Sequence, residues 1–244
     1  MGAFIAALQF LTRIRLKEET QWSAERFGKS VAFFPGVGLV LGMHLLLIHY
    51  ILSAFLSIHL TALLLVIAGF VLTGALHCDG LMDTADGLLS GRSRERMLEI
   101  MKDSRVGASG VTVFVLLVLA KWALIEEISP AFLPAALITM PVISRVALSL
   151  SVTLYGYARP EGIGKLFAEY TGKREALQAF CLGALILIPL SVLEWRAALA
   201  AGISLVFSHL FCRYVEKKLG GLTGDTYGAV TELTELVALT AFLS

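Results

Sequence analysis

Long apolar runs separated by polar stretches of unequal length set the pattern of this chain. Seven of them read as membrane-crossing helices, at 31–57, 60–77, 107–126, 131–154, 177–193, 197–214 and 228–244. A helix needs roughly 17–25 predominantly apolar residues to cross a bilayer core. The fifth and seventh runs are short, which suits a tilted or partly re-entrant segment. The first contains Phe33-Phe34-Pro35-Gly36, which predicts a kink or a separate opening segment, because proline removes a backbone donor and crowds the preceding turn. Ahead of it, Met1 to Leu16 is apolar up to Arg13 and Arg15 and predicts a short interfacial or re-entrant helix, followed by a polar stretch to Ser30. There is no internal repeat and no low-complexity tract, so a single domain over 1–244 is expected.

Composition sharpens this into a class. The chain is 57% hydrophobic and only 16% charged, with a mean hydropathy of +0.80, whereas soluble domains carry about 25% charged residues. An all-α integral membrane protein is expected, a polytopic bundle of about six to seven transmembrane helices. The net charge of +1 gives no hint of nucleic-acid binding, but its distribution is informative. Sixteen of the 20 Lys and Arg residues fall in 1–30, 78–106, 155–176 and 215–227, and Arg213 lies at the adjoining end of the sixth run, all on one side of the expected membrane. Lys121 and Arg196 lie toward the other side, and Arg145 lies within a span. Positive charge is retained on the cytoplasmic side, so the long loops are expected in the cytoplasm and the protein in the cell inner membrane. Trp22, Trp122 and Trp195 lie near span ends, where an indole suits the headgroup level. Cys78, Cys181 and Cys212 show no paired spacing, so neither a disulfide nor a zinc site is expected. No removable signal peptide is expected at the N-terminus.

Four polar constellations meet the loop-rich side. In His77-Cys78-Asp79-Gly80-Leu81-Met82-Asp83-Thr84-Ala85-Asp86-Gly87 the aspartates are spaced i, i+4, i+7. On a helix that spacing confines them to about 60° of arc. Three carboxylates so close repel one another, a divalent cation relieves the repulsion, and all-oxygen ligands favour Mg²⁺ or Mn²⁺ over zinc. Asp79, Asp83 and Asp86 are therefore candidate metal ligands, although carboxylates where a helix meets water can also be merely solvated. The second constellation, 96–105, alternates apolar and charged residues as a surface helix does, with Glu99 and Asp103 sharing a face and Lys102 and Arg105 supplying cations.

The third, Tyr157-Ala158-Arg159-Pro160-Glu161-Gly162-Ile163-Gly164-Lys165, makes a shaped turn in which Arg159 and Lys165 could neutralise phosphate. The fourth is the glycine-rich 220–228 stretch with Asp225, leading into a span that carries Glu232 and Glu235. Ionisable groups inside a span are costly and usually face a cavity or a partner. Arg145 poses the same question, with pairing to a carboxylate or to a substrate phosphate both open. Acidic metal ligands beside scattered cations are what phosphoryl transfer requires, and no Ser-His-Asp or Walker-type motif competes. The residues by themselves read as a metal-dependent membrane transferase acting on a phosphorylated substrate.

The stretches 74–87 and 98–107 resemble the signature of the cobalamin-5′-phosphate synthase family, also called adenosylcobinamide-GDP ribazoletransferase. The similarity extends to Phe33-Phe34-Pro35-Gly36-Val37-Gly38, Ala158-Arg159-Pro160-Glu161-Gly162 and Gly224-Asp225-Thr226-Tyr227-Gly228-Ala229, and it runs from Phe10-Leu11-Thr12-Arg13 to near the C-terminus. Cys78 stands where a Leu is expected. The resemblance implies transfer of adenosylcobinamide phosphate from its GDP-activated form to α-ribazole or its 5′-phosphate, releasing GMP, with Mg²⁺ required. Joined to the residue reading, it assigns Asp79, Asp83 and Asp86 to Mg²⁺ and Lys102, Arg105 and Arg159 to phosphate oxygens. Asp103 and Asp225 remain alternatives for accepting the proton of the attacking hydroxyl. Arg145, Lys165, Glu232 and Glu235 are further substrate-binding candidates. Small-molecule substrates and surrounding lipid are the expected partners, and a homo-oligomer is compatible with the pattern.

Two rivals differ in mechanism or class. A CDP-alcohol-type phosphotransferase also uses spaced aspartates, but it carries an Ala-Arg pair after its first Asp-Gly where this chain has Leu81-Met82. A transporter would use Glu232, Glu235 and Arg145, yet such proteins are commonly built on paired repeats, and none is visible.

Overall fold

The computed structural model describes residues 2–16 and 23–243, so Lys17 and Trp22 lie outside the described residues. Twelve α-helices are found among the described residues, and an isolated bridge between Tyr157 and Leu222 is the strand-like pairing present there. The all-α expectation is met. Five helices are long and apolar enough to cross a membrane. The first is a nearly continuous segment, α2 (Ala24–Ser30), a 3₁₀ turn at Val31–Phe33 and α3 (Phe34–Ser53), so the predicted break at Phe33-Phe34-Pro35 is only a tightened turn. It is preceded by α1 (Gly2–Leu11), whose ten residues are too few to cross.

The elbow that follows is the main departure from expectation. Helix α4 (Ile58–Thr73) stops at Gly74, which takes a left-handed φ of 64° and donates its N–H to Phe70 and Val71. Ala75 is also left-handed, at φ 56°. The chain then turns by 93° into α5 (Leu76–Leu89). The span expected over 60–77 thus ends early, and the aspartate-bearing helix leaves the α4 direction almost at a right angle.

Beyond the short α6 (Arg94–Ile100) come three further spans, α7 (Ala108–Glu127), α8 (Leu133–Leu154) and, after α9 (Ile163–Glu169), α10 (Lys173–Leu193). The fifth expected span is therefore full length, because it starts at Lys173 rather than at 177. Helix α11 (Arg196–Leu219) likewise runs past 214, so Lys217 and Lys218 form its last turn. The seventh expected span is α12 (Gly224–Thr240), seventeen residues long and not among the helices long and apolar enough to cross. It is mostly buried within the bundle, packed against α5, α8 and α11.

Helix α8 is the axis of the bundle. Of its most apolar window 89% is buried, against 22% for α7 and α10, which turn most of their surface outward. The outward faces carry Leu185, Val192 and Leu193, all more than two-thirds exposed, as lipid-facing side chains are. Helix α3 lies against α8 through Gly38 and Gly42, where a Cβ would collide with the α8 backbone around Ile138 to Val142.

Candidate active site

Helices α5 and α12 touch backbone to backbone. A Cβ on Gly80 would lie 2.6 Å from the carbonyl oxygen of Asp225, and one on Gly228 would lie 2.7 Å from that of His77. This approach sets the start of α12 against the aspartate face of α5. The α12 start is itself fixed by a reciprocal cap: the Thr226 N–H donates to the Thr223 hydroxyl at 3.2 Å, and the Thr223 N–H donates to the Thr226 hydroxyl at 2.8 Å. Asp225 in that first turn receives the Thr223 hydroxyl at 3.3 Å and the Arg159 guanidinium at 2.7 Å, both on Oδ2.

Arg159 arrives from a distant stretch of chain because its loop is stitched to the α12 start. The Ala158 N–H donates to the Leu222 carbonyl, and the Leu222 N–H to the Gly156 carbonyl, each at 2.7 Å. The third and fourth constellations therefore form one structure. The Arg159 Nε is buried without a hydrogen-bond partner among the described residues, leaving donor capacity beside the carboxylates.

Asp83 registers the crowding. Burial, then the neighbouring Asp225 and Asp79 carboxylates, push its pKa from the usual 3.8 up to about 7, with Arg159 opposing. Asp79 is exposed and Asp83 half-buried. Asp86, on the same face one turn further, has a different employment. It accepts the N–H groups of Gly107 at 2.7 Å and Gly110 at 2.8 Å, capping the start of α7. A Cβ on either glycine would strike the Asp86 carboxylate.

Among the described residues no three carboxylate, imidazole or thiol groups form a ready metal cage. Mg²⁺ commonly binds through one or two carboxylates, several waters and substrate phosphates instead of a closed protein cage. Asp79, Asp83 and Asp225, an open carboxylate cluster that raises the proton affinity of its own member, fit that kind of site.

The second constellation stays apart from this cluster. Asp103 is bound to Arg105 by two contacts to the guanidinium, at 3.0 and 2.7 Å, which with backbone donation hold its pKa low, at about 2. Lys102 is exposed. Lys165 donates to the Pro160 carbonyl at 2.6 Å and pairs with Glu169 at 3.3 Å, so it braces its own turn.

Glu232, Glu235 and Arg145 come together, but with each other and inside the bundle. Lys121 Nζ lies 2.6 Å from Glu232 and 2.6 Å from Glu235, and Arg145 pairs with Glu235. Ser144 donates to Glu235 and the Cys78 thiol to Glu232. The four charges cancel, and all four side chains are less than a tenth exposed. A crevice of about 40 Å³, enough for little more than a water, has these side chains on its wall. Lys121 was missed as their partner, because position along α7 places it toward the far side and one-dimensional spacing cannot show which helix it faces.

Two cavities flank Leu76 and Asp79. One, of about 470 Å³, lies between α1, the elbow and α7, with Arg13 and Phe114 on its walls. The other, of about 280 Å³, lies between α1, α3, α8, α9 and α12, with Asp79, Arg159 and Asp225 among its lining residues. Phe167 is the hub of its aromatic wall, 4.8 Å from Phe10 and 6.0 Å from Phe34 between ring centroids.

The family described as cobalamin-5-phosphate synthase matches residues 3–243. An adenosylcobinamide-GDP ribazoletransferase of Desulfitobacterium hafniense is 42% identical over 96% of this chain and 93% of its own length. Relatives of the same description from Acetivibrio thermocellus and Caldanaerobacter subterraneus subsp. tengcongensis are 40% and 37% identical, covering 96% and 99% of this chain and 94% and 98% of their own. No solved structure matches. The similarity thus embraces the elbow, the aspartate face of α5 and the α12 start alike, and the chain belongs to the cobalamin-5-phosphate synthase family.

Proposed function

We propose that this protein is a magnesium-dependent adenosylcobinamide-GDP ribazoletransferase. It moves adenosylcobinamide phosphate from the GDP-activated donor onto α-ribazole or α-ribazole 5′-phosphate and releases GMP. The observation that carries the reading is the meeting of Asp79, Asp83 and Asp225 with Arg159, beside a cavity that Asp79, Asp225 and Arg159 line. Pyrophosphate cleavage needs positive charge on the phosphate oxygens and an acceptor for the nucleophile's proton, and these residues supply both kinds of group. Bound Mg²⁺ would neutralise pyrophosphate oxygens. Asp79 and Asp83 would hold it, Arg159 would turn its unused N–H donors to phosphate, and Asp225, steadied by Thr223 and Arg159, would accept the proton of the attacking hydroxyl. Asp103 is the weaker candidate for that role, being tied to Arg105. Asp86 supports the site by holding the α7 start against α5. The concentration of basic residues in the long connections favours a cytoplasmic site in a multi-pass inner-membrane protein.

The direct test supplies adenosylcobinamide-GDP, α-ribazole and Mg²⁺ to the purified protein in liposomes and follows GMP and the cobalamin product. Metal-dependent formation of both, abolished by EDTA, is the expected result. GMP without a cobalamin product, or no conversion by folded protein, would defeat the reading.

Proton competition gives a second test. Because the Asp83 pKa is raised to about 7, its proton must leave before a cation binds. Mn²⁺ affinity, read by electron paramagnetic resonance, should fall by up to about tenfold per pH unit below 7 and level off above it. In the metal-free protein the raised pKa works the other way. Its stabilising contribution is complete below about 4 and lost as pH rises through about 7, so thermal stability should decline over that window and recover with Mn²⁺. A flat affinity between pH 5.5 and 8, a range chosen to span about 7, would remove Asp83 from the metal.

A further inference from the structure

The 280 Å³ cavity has a chemical character of its own. Phe10, Leu11, Phe34, Leu148, Val152 and Phe167 give it hydrocarbon walls. Its carboxylates, Asp79 and Asp225, are the residues assigned above to metal and proton transfer. Two other lining residues bear polar atoms that are buried and make no hydrogen bond among the described residues, the Tyr227 hydroxyl and the His77 Nδ1. Buried polar groups left unsatisfied are costly; the His77 ring lies close to the Arg145, Glu235 and Lys121 charges, and the Tyr227 hydroxyl is the group that points to a ligand supplying its partner.

We propose that this cavity is the acceptor subsite, holding the base of the ribazole with its ribose directed to Asp225 and Arg159; this rests on the transferase reading above. The donor's corrinoid is far too large for it. The remaining competitor is the donor's guanine, whose edge displays two N–H-bearing nitrogens beside its acceptors and requires carboxylate or carbonyl partners. The side chains here assign their carboxylates to the phosphate end and leave aromatic and aliphatic surface for the base. A dimethylated benzimidazole attached through one ring nitrogen displays hydrocarbon and a single acceptor nitrogen. It matches apolar walls with a hydroxyl donor in reserve. The larger cavity beyond Asp79, with Arg13 on its wall, is left to the donor side.

The test is two-substrate kinetics on the full-length protein with Tyr227→Phe and Val152→Phe. Tyr227→Phe removes a hydroxyl that bonds to nothing among the described residues, so the fold should not feel it, and the KM for α-ribazole should rise about fivefold. Val152→Phe fills the cavity and should raise that KM about tenfold or more. The KM for adenosylcobinamide-GDP should stay unchanged in both. Free 5,6-dimethylbenzimidazole should inhibit the unaltered protein competitively against α-ribazole and lose potency in both variants. If Val152→Phe does not fold, Tyr227→Phe with the inhibitor decides. An unchanged α-ribazole KM alongside undiminished inhibition would overturn the assignment while transfer by the unaltered protein upholds the function. A rise in donor KM with weakened GMP inhibition would give the cavity to guanine. No transfer by the unaltered protein would remove the functional reading and this assignment with it.

Discussion

Replacing Asp83 by Asn should lower metal-dependent turnover by about 10²–10³-fold, the size of effect seen when one preorganised electrostatic contact to a reacting phosphate or oxyanion is lost. The substitution keeps the shape and removes the charge. It should also leave the metal-free protein at least as stable as before, because Asp83 is held among Asp225, Asp79 and Asp86 and a neutral amide relieves that repulsion. Loss of activity with stability preserved is therefore the expected signature, read by GMP release and by thermal unfolding of the same preparation. A variant that retained Mg²⁺-dependent turnover near the unaltered rate would exclude Asp83 from the chemistry. One that lost stability as well would mark it as a structural residue.

Replacing Lys121 by Met should have the opposite signature. Breaking a buried ion pair from one side costs about 3–5 kcal/mol, because an uncompensated charge stays behind. Here the charge left behind is chiefly Glu232, since Glu235 keeps Arg145. Thermal unfolding in detergent should show the loss. The double variant Lys121→Met with Glu232→Gln should recover much of it, leaving the Arg145–Glu235 pair neutral on its own. Lys121→Met with Glu235→Gln should recover less, since it strands Arg145 and Glu232 without each other. Equal stability of the two double variants would mean that the four groups do not pair as described.

Much of the site was legible in one dimension because its logic is local. The i, i+4, i+7 spacing places the aspartates on one face whatever the tertiary setting, and α5 is indeed a helix over all three. What the sequence could not reveal depends on direction and on partners. The 93° elbow arises from two left-handed residues, one of them Ala75, a residue type that does not announce such a turn. Asp86 looked equivalent to Asp79 and Asp83, and only the approach of Gly107 and Gly110 makes it a helix cap. Glu232, Glu235 and Arg145 were singled out as intramembrane charges, but Lys121, the common partner of the two glutamates, comes from a helix more than a hundred residues before them. His77 and Tyr227 carried no signal as cavity residues because neither departs from what a packed aromatic or interfacial histidine looks like.

The buried charge quartet also has a history written into its order along the chain. Lys121 and Arg145 are synthesised first, on α7 and α8, whereas both carboxylates arrive with α12. Neither cation has these carboxylates to pair with until α12 has been made. The same helix delivers Asp225. One helix thus supplies both the carboxylates that neutralise the interior and the carboxylate at the start of the reaction centre, so a chain cut short of α12 would lack both.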